Sequence, residues 1–99
     1  MILISESELR TILTILDKHL HSGRVLAFGS RVSAVCKPYS DLDLAIDADH
    51  CLSISELGNI REDFQESTLP YRIDVLDYNA ISPEFRAVIA ASNIIVWEK

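Results

Sequence analysis

Three acidic residues and one glycine–serine pair are the positions of this 99-residue chain whose types and spacing point to chemistry. Asp41 and Asp43 are separated by one residue, so on an extended strand they share a face and stand ~7 Å apart. Carboxylates that close repel one another and are costly to bury. A divalent cation would resolve the conflict, since Mg²⁺ takes one or two carboxylates together with substrate phosphates and water. A half-exposed strand with a solvated acidic face accounts for this pair equally well. Asp74 adds a third carboxylate on a later segment. If the two segments are neighbouring strands, the three acids meet at one point. Two metal ions ~3.5–4 Å apart, bridged by such acids, would bind the attacking and leaving oxygens of a phosphoryl displacement. Gly29-Ser30 follows an apolar run. Glycine lets a backbone approach a ligand closely, and the unpaired N–H groups of a following helical turn suit phosphate oxygens. A glycine–serine pair is also an ordinary turn.

The elements that must hold these residues are legible from periodicity. Ser5 and Glu8 have capping-box spacing, and Leu9, Ile12, Leu13, Leu16 and Leu20 form a helical stripe that ends near Gly23. Val25-Leu26-Ala27-Phe28 is a short continuous apolar run, predicted as a strand covered on both faces. Ser30 to Val35 is compatible with a short helix, followed by a polar turn at Lys37-Pro38-Tyr39-Ser40. Asp41 to Asp47 alternates with a period of two, placing Leu42, Leu44 and Ile46 opposite Asp41, Asp43 and Asp47. Ser53 and Glu56 cap a second helix whose buried face reads Ile54, Leu57, Ile60 and Phe64. Arg72 to Tyr78 is a third strand, on which Asp77 faces away from Asp74 and reads as structural or capping. Ser82 and Pro83 start a third helix with Phe85, Val88 and Ile89 inward, Asn93 ends it, and Ile94 to Trp97 is a last strand. The order predicts an α/β (α+β) class, one domain over residues 1–99 with helices packed on a small sheet.

Composition removes whole classes of function. A hydrophobic fraction of 48% with three Gly and three Pro excludes disorder and low-complexity filament. No apolar run spans a bilayer, and the start (Met1-Ile2-Leu3-Ile4, then acidic residues) lacks the basic region of a signal peptide. A formal charge of −6 argues against a broad nucleic-acid-binding face. Cys36 and Cys51 form no CxxC pair and read as free thiols of a cytoplasmic protein. His19 and His21 read as solvated surface, and His50 as a loop residue with a metal role possible but less favoured. No Gly-Lys-Ser/Thr follows a glycine-rich loop, so a P-loop is absent. The acidic pair starts its strand, whereas aspartyl-phosphate phosphatases carry theirs at the end of one.

With these residues in view, the sequence resembles the minimal nucleotidyltransferases of the DNA polymerase β superfamily. Ala27-Phe28-Gly29-Ser30-Arg31, then Tyr39-Ser40-Asp41-Leu42-Asp43-Leu44, then Arg72-Ile73-Asp74-Val75-Leu76-Asp77 match its signature. The resemblance implies a polymerase-β-like fold on a small mixed sheet. It implies two Mg²⁺ ions on Asp41, Asp43 and Asp74, with Asp74 helping to deprotonate an acceptor hydroxyl. It implies ATP as substrate, its triphosphate held by Gly29 and Ser30 with Arg31, Lys37 and Ser40 nearby; Arg31 either touches a phosphate or braces the loop. Family loops often read Gly-Ser-Arg-x-Arg-Gly, where this chain has Ser33 and Ala34, and Lys37 supplies positive charge instead.

Small members of the family are similar to the antitoxins of HEPN–MNT toxin–antitoxin pairs. The resemblance therefore implies a HEPN-domain ribonuclease as partner in a hetero-oligomer, and transfer of AMP to a tyrosine hydroxyl of that partner. So short a chain leaves no room for a nucleic-acid-binding domain, so the acceptor is expected on another protein, with no membrane and no direct nucleic-acid contact. Two other readings stand beside this one. One is a binding antitoxin, catalytically weak, that neutralises its partner by docking. The other is a nucleotidyltransferase that modifies a small molecule through a separate substrate-binding subunit.

Overall fold

A computed structural model describes residues 4–29, 32 and 41–99. In order along the chain are α1 (Glu6–His19), β1 (Arg24–Phe28), β2 (Leu42–Asp47), α2 (Ile54–Gln65), β3 (Ile73–Asp77), α3 (Pro83–Ala91) and β4 (Ile94–Glu98). The short helix expected from Ser30 to Val35 falls largely outside the described residues.

Local chemistry sets the helix starts as the sequence predicts. The Ser5 hydroxyl accepts from the Glu8 N–H while Glu8 accepts from the Ser5 N–H, and Ser53 and Glu56 repeat the arrangement. Each such cap stabilises its helix by ~1 kcal/mol. Ser82 caps α3, with Pro83 at its first turn, where the missing N–H costs nothing.

The four strands form one mixed sheet in the order β3-β2-β1-β4. β1 runs antiparallel to both β2 and β4, and β2 runs parallel to β3. A parallel pair needs a long crossover, and α2 supplies it. The main core lies on one face, where Val25, Ala27, Leu42, Leu44 and Ile46 meet Ile12 and Leu16 of α1 and Ile60 and Phe64 of α2. On the opposite face, Leu26, Ala45 and Ile89 of α3 form a smaller cluster. β1 is thus covered on both sides, which is why its sequence is apolar from Val25 to Phe28.

Three surface expectations change. Ile54 is exposed, because it opens α2 before the helix reaches the sheet. On α3 only Ile89 is buried, while Phe85 and Val88 are 42% and 67% exposed; this nine-residue helix meets the sheet along one narrow line. His19 is not solvated surface: its Nε2 lies 2.6 Å from Asp63, which also pairs with Lys18 at 3.0 Å, joining α1 to α2. These bonds hold the Asp63 carboxyl below the usual range, the one from His19 foremost. His50 stands 4.0 Å from Glu56, and Cys51 is a free, exposed thiol. Among the described residues, no helix is long and apolar enough to cross a membrane.

Candidate active site

The parallel register of β2 and β3 sets Asp43 directly beside Asp74. Both lie on the α3 side of the sheet, because Asp43 shares a face with Ala45 and Asp74 with Leu76. Antiparallel pairing sets Phe28 of β1 on the other side of Asp43, and Gly29 follows at once. Three neighbouring strands therefore deliver the glycine corner, Asp43 and Asp74 in a row.

Gly29 adopts φ +84°, a left-handed conformation that side chains other than glycine's rarely tolerate. A Cβ built at this position would land on Asp43 Oδ2, with Asp43 Cγ 3.3 Å away. The carboxylate thus rests against bare backbone, a contact that requires glycine.

Electrostatics ties the acids together. Burial pushes the half-buried Asp43 carboxyl upward, and the charges of Asp74 and then Asp41 push it further in the same direction. These like charges oppose the ionisation of Asp43, a cost that a divalent cation removes. The three do not converge on one point, however. Among the described residues, no three His, Cys, Asp or Glu side chains form a ready-made metal cage. Asp74 turns instead to Arg72, whose Nε lies 3.0 Å from its Oδ1. The sequence carried this signal, since Arg72 precedes Asp74 by two residues and so shares its strand face. The donor set still suits Mg²⁺, which is bound through one or two carboxylates plus phosphate oxygens rather than by an all-protein cage.

Asp41 is exposed, one residue before β2. Ser30, Arg31, Lys37 and Ser40, and the departing positions Ser33 and Ala34, lie outside the described residues.

The opposite ends of β2 and β3 carry carboxylates with a different task. Asp77 is 5% exposed, and it accepts from the Leu52 N–H at 2.7 Å and the Asn79 N–H at 2.9 Å. It is the structural residue the sequence suggests. Asp47 accepts from Asn79 Nδ2, the Asp49 N–H and Arg24 Nε. Burial alone would raise its carboxyl, but those bonds outweigh burial and hold it below the usual range.

The polymerase beta nucleotidyltransferase family matches residues 10–99. The chain is 41% identical over 96 residues to the probable protein adenylyltransferase MntA of Haemophilus influenzae, covering 97% of this chain and 84% of that protein. In fold it is similar to a chain in a crystal structure of a toxin–antitoxin with AMP-PNP, at TM-score 0.76 and 18% identity, over 92% of this chain and 73% of the other. It is likewise similar to a chain of the tri-AMPylated Shewanella oneidensis HEPN toxin in complex with MNT antitoxin, at TM-score 0.72 and 18% identity, over 97% and 74%. The paired acids, the glycine corner and the match across nearly the whole chain place this protein in the polymerase β nucleotidyltransferase family.

Proposed function

We propose that the protein is a Mg²⁺-dependent protein adenylyltransferase of the cytoplasm that transfers AMP from ATP to a tyrosine hydroxyl of a HEPN-domain toxin, its partner in a hetero-oligomer. The observation that carries the reading is the register of Asp43 and Asp74, with Gly29 packed on the Asp43 carboxylate. The 41% identical relative is named as a probable protein adenylyltransferase, and two fold neighbours come from toxin–antitoxin complexes, one solved with AMP-PNP and one tri-AMPylated.

In this reading Asp41, Asp43 and Asp74 hold the cations, which supply the positive charge that the triphosphate and the transition state need. Asp74 helps take the proton from the acceptor hydroxyl. The freed oxygen bonds to the α-phosphorus, and the bond to the bridging oxygen breaks as pyrophosphate leaves. Gly29 and Ser30 hold the triphosphate, with Arg31, Lys37 and Ser40 nearby. Catalysis of this kind is positioning and charge neutralisation, which a rigid sheet edge can provide. Incubation with α-labelled ATP and the HEPN partner should label the partner, and Asp41→Ala should abolish the label. Equal, background labelling by both proteins rejects the enzymatic reading.

Neutralisation by docking alone is the second reading. The exposed Phe85, Val88 and Ile95 favour it, since exposed apolar side chains suit a protein interface. It expects the Asp41→Ala/Asp43→Ala double variant, stably folded, to protect cells expressing the toxin, and loss of protection refutes it.

A further inference from the structure

We propose that the outward face of α3, with Ile95 of β4, seats the protein that presents the acceptor hydroxyl, and that the matching surface of that protein is apolar and ringed by basic side chains. This inference rests on the adenylyltransferase reading and adds to it where the protein substrate docks. What α3 shows to solvent sets it apart from the other helices. From Phe85 to Ser92 the one charged residue is Arg86, and Phe85, Ala87, Val88, Ala90 and Ala91 are all exposed. By contrast, α1 shows Arg10 and Lys18 to solvent and α2 shows Arg61 and Glu62. A helix that is apolar all round belongs in an interior, yet Ile89 is the one buried side chain of α3. Ile95 extends the apolar surface, since it stands opposite Leu26, which packs with Ile89. Contiguous exposed apolar surface of this kind marks a protein interface.

The occupant follows from place and charge. The patch lies on the side of the sheet that carries Asp43 and Asp74, and it adjoins them. The Phe85 ring meets the Phe28 ring edge to face at 6.1 Å, and Phe28 stands opposite Asp43 in the register of β1 and β2. A protein docked on α3 therefore borders the reacting carboxylates, as a protein substrate must, whereas a second copy held there would crowd the same approach. The margins are acidic. Glu84 and Glu98 are exposed beside the patch, the reacting carboxylates lie along its Phe28 side, and Arg72 is engaged by Asp74. Interfaces set complementary charge around an apolar centre, so the docking protein brings basic side chains to this rim.

The test measures Kd for the HEPN-domain partner by calorimetry, and KM for that partner by transfer from α-labelled ATP with Mg²⁺. Val88→Lys and Ala91→Lys each put a charge into the patch. Ala91 lies in the last turn of α3, where lysine suits the helix dipole, so that variant keeps its fold. Each should raise Kd and KM for the partner by about tenfold or more, with the KM for ATP unchanged. Glu98→Lys should weaken binding by about two- to fivefold, the scale of one exposed charge pair. Ile54→Lys is the control, because Ile54 is 94% exposed on α2, across the sheet, and partner binding should not change. Wild-type Kd in both α3 variants, or equal weakening by Ile54→Lys, overturns the inference while labelling of the partner keeps the adenylyltransferase reading intact. Wild-type binding by Glu98→Lys overturns the basic ring. A dimer of this chain alone that Val88→Lys dissociates, with partner binding retained, gives the face to a second copy and overturns the inference too. If the partner binds through α3 but is never labelled, the docking surface stands and the adenylyltransferase reading is what fails.

Discussion

Replacing Gly29 by alanine should separate the stability of this protein from its chemistry. The backbone there has φ +84°, which costs a residue bearing a Cβ ~1–2 kcal/mol. For a domain of this size each kcal/mol lowers Tm by ~4–8 °C, so the variant should melt roughly 4–16 °C lower and still fold. The larger consequence is local. The new methyl would overlap Asp43 Oδ2, and restoring ordinary contact distances moves that carboxylate by about 1 Å. Misplacement on that scale costs ~10²-fold in rate. Gly29→Asn serves as the partner variant, because asparagine tolerates positive φ better than alanine yet carries the same Cβ. It should recover part of the stability and none of the rate. The assay is kcat/KM for AMP transfer from α-labelled ATP, measured well below both melting temperatures. An alanine variant with wild-type kcat/KM, or an asparagine variant that restores it, would refute the role given to this contact.

Asp43→Asn and Asp74→Asn should each cut AMP transfer by at least ~10², the cost of losing one stabiliser of transition-state charge. In the presence of a chelator Asp43→Asn should melt slightly higher, by ~1 kcal/mol or less, since it removes the repulsion from Asp74 and Asp41; a lower melt would contradict that account. Asp77→Ala should cost ~2–3 kcal/mol by leaving the Leu52 and Asn79 N–H groups without their acceptor, seen in urea denaturation, with activity per folded molecule unchanged. Asp47 has its carboxyl lowered in the folded state, so the stability it contributes is present above the ordinary carboxylate range of ~4 and is lost as pH falls through the lowered value. Asp47→Asn should therefore be less stable than wild type at pH 7 and indistinguishable from it at the acid end of the same titration.

Much of this molecule is determined by short-range rules that a sequence displays directly. The Ser5, Ser53 and Ser82 caps are exchanges of side-chain and backbone hydrogen bonds within four residues, so composition at fixed offsets suffices to place them. The alternation in β2 dictates that Asp43 faces away from Leu42 and Leu44 wherever the strand is put. The same period separates Asp74 from Asp77, which is why one could be read as reactive and the other as structural. What the sequence could not decide were relations across the sheet. That Asp74 stands beside Asp43 depends on parallel pairing of two strands joined by α2, and pairing is settled by burial of the whole apolar face. Phe85 and Val88 have the helical spacing of a core face, but the small cluster around Leu26, Ala45 and Ile89 has room for one of the three side chains. Arg72 on Asp74 belongs to the same class of fact. It arises where the sheet runs out of strands, and where an edge falls is a property of the assembled fold, not of any one segment.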